Sequence, residues 1–138
     1  MAEVHSDVAV SEMSLDSQGR ILAFGAVVEA ATGLALLMDP AFVVTLLLGA
    51  ELSGAETLLG RCFGIALLSL GLACWPARRG TASTLPTFRG MLLYNVLIAL
   101  YLAYLGTAGH RWGLLLWPAV ALHAVVALAL VWTRRGSR

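Results

Sequence analysis

The chain has 138 residues, of which 59% are hydrophobic and only 12% are charged. Because a water-soluble domain carries about 25% charged residues, this composition excludes an ordinary soluble fold and indicates an integral membrane protein. The net charge of +1 gives no electrostatic basis for binding nucleic acid, which requires a strongly basic surface.

Residues 1–19 form a polar segment that precedes the first apolar stretch. Its acidic residues are Glu3, Asp7, Glu12 and Asp16, and it contains no lysine or arginine. A signal peptide begins with basic residues, so we do not interpret this segment as one. We expect an acidic, mobile tail, followed by a single transmembrane domain over residues 20–135.

Four apolar stretches are long enough to cross the hydrocarbon core, which takes roughly 20 helical residues. They cover residues 21–38, 54–75, 88–106 and 112–132. Residues 40–50 form a shorter apolar run, typical of an interfacial or re-entrant segment. Asp39 can cap this run, and Pro40 fits its first helical position. The predicted fold is all-α: an integral membrane four-helix bundle with a short interfacial helix between spans 1 and 2.

Pro118 lies six residues into the fourth predicted span. Proline disrupts the hydrogen bonding of a helix interior, but it is common in the first turn of a helix. The fourth helix therefore either kinks at Pro118 or begins there.

The arginines are distributed unequally between the two sides of the predicted bundle. One side holds Arg20, Arg78, Arg79, Arg89, Arg134, Arg135 and Arg138. The other side holds Arg111, with Arg61 near or inside the membrane. Since cytoplasmic loops carry the excess of basic residues, we predict that both termini are cytoplasmic. All nine basic residues are arginines, which we interpret as the mark of a GC-rich bacterial genome, and so we expect a bacterial cytoplasmic (inner) membrane.

Polar residues inside the spans are the first candidates for a functional site. Glu29, Arg61 and His123 are ionisable, and Asn95 is a polar residue of the third span. An ionisable group at mid-depth costs roughly 2.5–3.5 kcal/mol on insertion scales, so such groups usually face the bundle and have partners. The sequence therefore predicts an intramembrane polar cluster of Glu29, Arg61, His123 and Asn95.

The pairing within this cluster has alternatives. Helix rise puts Glu29 about 13 Å and His123 about 15 Å from the cytoplasmic end, but Arg61 about 22 Å from it. Glu29 and His123 match best in depth, whereas Glu29 and Arg61 match better in charge. Arg61 could instead extend to the outer interface, and His123 could make a purely structural hydrogen bond. Glu29 could form a static polar contact or bind a proton or substrate.

Small residues surround the polar groups. Gly25 and Gly33 lie one turn on either side of Glu29, and Arg61 falls within a Gly60-x-x-x-Gly64 spacing. Such spacings allow two membrane helices to approach closely. We predict that Gly25, Gly33, Gly60 and Gly64 are helix-packing positions.

Catalytic and metal-binding signatures are absent from the sequence. It has no CxxC pair, no His/Cys cluster with metal-ligand spacing and no nucleophile with an obvious base. Haem held between spans usually needs two histidines on facing helices, and only His123 lies in a span. We therefore predict no catalytic residue, no metal and no cofactor, and favour a protein that is not an enzyme.

Several short motifs resemble those of small bacterial four-helix membrane proteins near the DoxX group. They are Asp39-Pro40, Leu48-Gly49, Gly60-Arg61-x-x-Gly64 and Leu67-Leu68-x-Leu70-Gly71-Leu72. The resemblance covers residues 21–132 and implies four spans with an interfacial segment after the first. Because DoxX itself is associated with quinone-linked sulfur oxidation, it also implies quinone as a candidate cofactor, with Tyr94, Tyr101 and His123 as possible ring partners.

Three functions follow from these features. The leading hypothesis is a non-catalytic accessory or structural subunit of a larger membrane complex. The alternatives are a small proton-coupled transporter that uses Glu29 and a quinone-interacting redox subunit. The expected partners are the lipid bilayer and either another membrane protein or further copies of this chain.

Overall fold

The computed structural model describes the backbone of residues 2–75 and 84–135 and the side chains of residues 17–75 and 85–135. This part of the chain is all-helical. The helices are α1 (Ala2–Met38), α2 (Pro40–Leu48), α3 (Gly54–Ala73), α4 (Thr84–Thr107) and α5 (Leu116–Arg135). All but α2 are long and apolar enough to cross a membrane. The predicted fold class, with its short helix after the first span, is confirmed.

Helix α1 is longer than the predicted first span. It is continuous over 37 residues, of which Ser17–Met38 is apolar enough to cross a membrane. The backbone of the acidic segment is helical from Ala2 onward, and the mobility of this tail stays a prediction. The segment contains no proline, and adding residues to a formed helix is much easier than nucleating a new one.

Helix α2 has defined signals at both ends. The Asp39 side chain accepts a hydrogen bond from the Phe42 backbone N–H at 3.0 Å, and Pro40 occupies the first turn. Gly49 ends the helix in the left-handed conformation, with φ of 63°, which glycine adopts without steric cost. The Leu46 carbonyl accepts a hydrogen bond from the Leu115 N–H at 2.8 Å, so the connection before α5 is fixed against α2.

The remaining helix ends differ from the predicted ones by a few residues. Helix α5 begins at Leu116 rather than at residue 112. Pro118 therefore lies in the first turn, where backbone N–H groups have no acceptor within the helix, so proline removes no hydrogen bond there. Of the two alternatives, this favours a helix that begins near Pro118. Helix α4 begins at Thr84, earlier than predicted. Arg78 and Arg79 lie outside the described residues.

The helices form two pairs, α1 with α3 and α4 with α5, which meet mainly through α1 and α5. The α1–α3 contact is close because glycines line it. A Cβ atom on Gly33 would lie 2.6 Å from the Leu68 backbone nitrogen, and one on Gly64 would lie 2.7 Å from the Gly33 oxygen. A Cβ atom on Gly71 would lie 2.6 Å from the Ala26 oxygen. No larger residue fits at these three positions without a shift of the backbone.

The other two predicted packing glycines also lie at helix contacts. A Cβ atom on Gly60 would lie 2.7 Å from the Pro40 Cβ, so this glycine packs α3 against α2. A Cβ atom on Gly25 would lie 3.2 Å from the Met91 sulfur, so this glycine packs α1 against α4. An apolar core fills the space between the helices toward the end where the termini lie. Its buried residues are Leu22, Ala26, Cys74, Phe88, Met91, Val126 and Leu130.

We predict that Gly64→Ala lowers the thermal stability of the protein in detergent. The added methyl group meets the α1 backbone, and overpacking of this kind costs typically about 1–3 kcal/mol. Gly90→Ala is the matched control, since nothing lies within 4 Å of a Cβ atom at Gly90. Thermal unfolding followed by circular dichroism should show a loss for the first variant and none for the second. Equal melting curves for both variants would contradict the close α1–α3 contact.

Candidate functional site

Four polar side chains from three helices meet in the interior of the bundle. Glu29 comes from α1, Tyr94 and Asn95 come from α4, and His123 comes from α5. Glu29 and Asn95 are each 1% exposed and His123 is 8% exposed. We refer to Glu29, Tyr94, Asn95 and His123 as the polar cluster.

Hydrogen bonds fix the orientation of the Asn95 amide and the His123 ring. The Asn95 Nδ2 donates to the Met91 carbonyl at 2.9 Å, and a carbonyl can only accept. The Asn95 Oδ1 therefore faces His123, whose Nδ1 lies 2.9 Å away. Since Oδ1 is an acceptor, the His123 Nδ1 carries a proton and donates it. This arrangement links α4 to α5 through a defined histidine tautomer.

Glu29 joins α1 to the same network. Its carboxylate accepts a hydrogen bond from the Tyr94 hydroxyl, and its Oε1 lies 3.8 Å from the His123 Nδ1. The Tyr94 ring also meets the His123 ring edge-to-face, with centroids 5.8 Å apart and an interplanar angle of 81°. Tyr94 thus contacts both ionisable members of the cluster.

Of the four residues in the predicted cluster, the structure brings three together and places Arg61 elsewhere. Glu29, Asn95 and His123 are buried together, whereas Arg61 is exposed on α3. Gly60 faces α2 and Gly64 faces α1. Because successive residues are about 100° apart around a helix, Arg61 lies to the side of this glycine face and away from the polar cluster. Depth and charge can be inferred from the sequence, whereas this rotation about the helix axis cannot.

Tyr94 is the residue that the predicted cluster omits. From the sequence, Tyr94 is assigned only to a possible quinone contact. A signal was present, because a tyrosine hydroxyl inside a membrane bundle needs a partner, and Tyr94 precedes Asn95 in the same span. The quinone hypothesis named Tyr94, Tyr101 and His123 as ring partners. The Tyr94 and His123 rings contact each other, whereas Tyr101 is 57% exposed.

The chemistry available in the polar cluster is that of proton and hydrogen-bond exchange. A carboxyl, a phenol, an imidazole and an amide can share protons, but they include no serine or cysteine nucleophile. Among the described residues, no group of three His, Cys, Asp or Glu side chains is placed to hold a metal ion. Every buried side-chain nitrogen and oxygen in that part of the chain has a hydrogen-bond partner. The cluster is therefore internally satisfied.

No known family model, curated protein or solved structure matches this chain. Its function has to be inferred from its own residues.

We predict that Tyr94→Phe destabilises the protein because it removes the hydroxyl that Glu29 accepts from. Hydrogen bonds between membrane helices contribute on average about 0.6 kcal/mol and at most about 1.7 kcal/mol, so the expected loss lies in this range. Tyr104→Phe is the matched control, because Tyr104 lies on the same helix but is 60% exposed.

The measurement is equilibrium unfolding in mixed micelles, with Glu29→Gln and the Tyr94→Phe, Glu29→Gln double variant included. The two changes should not be additive, since they act on the same hydrogen bond. Additive losses, or equal effects of the Tyr94 and Tyr104 changes, would show that Tyr94 does not hold Glu29.

Proposed function

We propose that this chain is a non-catalytic structural subunit of a larger assembly in the bacterial inner membrane, with both termini cytoplasmic. The observation that carries the proposal is that Arg61 is exposed on α3, a helix that packs mainly against α1 and has an open outer face. The internally satisfied polar cluster supports it, because this cluster holds the chain's own helices together and leaves assembly to the outer surfaces.

Helix α3 presents most of its surface to the outside of the bundle. It packs against α1 and, near its beginning, against α2, and it has no comparable contact with α4 or α5 among the described residues. Its exposed large apolar side chains are Leu58, Leu59, Phe63, Ile65 and Leu72. Such a surface suits either lipid or the helix of another subunit.

Arg61 favours a protein partner on this surface. It lies seven residues after the beginning of α3 at Gly54, which is about 10 Å inside the span. Charged side chains within spans almost always face other helices or pair with an opposite charge. A carboxylate on a partner helix would supply that pair, whereas lipid alone would require Arg61 to extend to the interface.

The charges of the described side chains support the proposed orientation. Exposed or half-buried arginines at the end with the termini are Arg20, Arg89, Arg134 and Arg135. The opposite end has Asp39, Glu51, Glu56 and Arg111. Since cytoplasmic ends carry the excess of basic residues, the end with the termini is the cytoplasmic one.

We predict that a photoreactive probe attached to Cys62 captures a protein partner in intact membranes. Cys62 follows Arg61 and is exposed, whereas Cys74 is buried, so Cys74→Ser leaves one reactive thiol on the relevant surface of α3. The cross-linked species should be larger than the single chain, and mass spectrometry identifies it as a second copy or another protein. Arg61→Leu should reduce its yield severalfold.

The matched control is Cys62→Ser, in which only the buried Cys74 remains and no cross-link should form. A Cys62 probe that labels lipid alone, together with an unchanged size of the Arg61→Leu protein in mild detergent, would overturn the accessory-subunit proposal.

A second candidate function is proton-coupled transport through Glu29. The observation in its favour is that Glu29 is held by the Tyr94 hydroxyl and lies near the His123 ring, rather than pairing with the Arg61 guanidinium. A carboxyl group without a guanidinium partner can exchange a proton with a substrate. Neither of the two described surface grooves is lined by a residue of the polar cluster, which is why transport ranks second.

For a transporter, we expect Glu29→Gln to abolish proton-driven efflux of ethidium, a simple cationic probe, from proteoliposomes. The glutamine keeps the shape and a hydrogen-bonding oxygen but cannot release a proton. Glu51→Gln, at an exposed position outside the helices, is the control and should transport normally. Efflux that is absent from the wild-type protein, or equal in Glu29→Gln, would exclude this function for that class of substrate.

A further inference from the structure

A groove lies between α4 and α5 at the end of the bundle where the termini lie. Its lining residues are Phe88, Leu92, Val131, Arg134 and Arg135. The apolar residues form its floor, and the two arginines belong to the last turn of α5. The groove therefore combines an apolar channel with a doubly cationic rim.

We propose that this groove binds one anionic phospholipid from the leaflet that faces the chain termini. An acyl chain lies along Phe88, Leu92 and Val131, and the phosphate is bound by Arg134 and Arg135. Basic pockets between membrane helices on the cytoplasmic side are the recurring form of such lipid sites.

The depth of the groove matches the parts of a phospholipid. Arg134 and Arg135 are the charged residues that follow the apolar run of α5, and we place them at headgroup level because charged side chains are disfavoured in hydrocarbon. Along α4, depth is counted from Leu85. Phe88 and Leu92 lie about 5 Å and 10 Å further in along α4, and Val131 lies about 6 Å inside Arg135. The apolar lining therefore begins where the acyl chains of a leaflet begin.

The Arg134 side chain lies against the apolar floor of the groove. Its guanidinium carbon lies 5.1 Å from the centroid of the Phe88 ring, a distance at which a cation–π interaction forms. The guanidinium is planar, and its five N–H donors lie in that plane. Phosphate is the ligand that such planar, multiple donors recognise well.

The described basic side chains at this end favour a negative headgroup. Among the side chains that the structure describes, Arg20 and Arg89 add positive charge at this end, while the exposed carboxylates Asp39, Glu51 and Glu56 lie at the other end. Glu29 is buried in the polar cluster. A zwitterionic choline headgroup would bring its own cation toward these arginines, whereas phosphatidylglycerol would not.

A second groove, between α1 and α5, is a weaker candidate. Its lining includes one arginine, Arg20, whereas the groove between α4 and α5 has two.

The test measures lipid binding to the full chain by native mass spectrometry and by thermal melting in nanodiscs. Phosphatidylglycerol should bind at least tenfold more tightly than phosphatidylcholine with the same acyl chains, and it should raise the melting temperature. The Arg134→Gln, Arg135→Gln double variant should lose about tenfold or more of this preference, because each arginine near the surface attracts anionic lipid.

Three controls make the result decisive. Arg111→Gln, at the opposite end, should keep the preference, and the Arg134→Lys, Arg135→Lys variant should keep most of it. Melting in phosphatidylcholine nanodiscs shows that the glutamine variant folds. Equal binding of the two lipids, or a full preference in the folded glutamine variant, would overturn the proposal. Glycerol phosphate that stabilises the protein in phosphatidylcholine as much as phosphatidylglycerol does would also overturn it, because the site would then bind a soluble phosphate.

Discussion

A carboxyl group in the middle of a membrane span constrains this fold more than any other feature. Hydrocarbon offers no hydrogen-bond partner, so Glu29 must find its partners on neighbouring helices. The Tyr94 hydroxyl bonds to it from α4, and His123 approaches it from α5 while bonding to Asn95. Apolar contacts between membrane helices select little, because lipid tails are equally apolar. The polar cluster therefore fixes the rotation of α1, α4 and α5 about their axes.

Helix α3 is held by a different interaction. Gly33, Gly64 and Gly71 allow its backbone to touch the backbone of α1, and the gain is close van der Waals contact rather than hydrogen bonding. This contact uses the small residues of α3 on one face. Its large apolar residues and Arg61 are left on the outside. Packing through the glycine face thus attaches α3 to α1 and also leaves the opposite face of α3 available to another molecule.

The sequence predicts the fold well and the polar site in part, for one reason. Hydropathy, Asp39-Pro40 and the turn residues act along the chain, so the spans and α2 could be located directly. Depth is also a property along the chain, and it pairs Glu29 with His123, whose side chains approach to 3.8 Å. Rotation about the helix axis is set by contacts between helices. The glycines of α3 face α1 and leave Arg61 outside, and the polar cluster turns Tyr94 inward, so neither position follows from depth and charge along the chain.

The position of the polar cluster also bears on whether it could exchange protons. Leu22, Phe88, Val126 and Leu130 are buried core residues on the side of the cluster toward the termini, and no residue of the cluster lines the two described grooves at that end. From that end, a proton would reach Glu29 only if these core residues moved apart. The α1–α5 contact is less extensive than the α1–α3 and α4–α5 contacts, so separation of the two helix pairs is the motion that would open the cluster. Because the same separation would break the approach of Glu29 to His123, the hydrogen-bond network opposes that motion and favours a static, structural role.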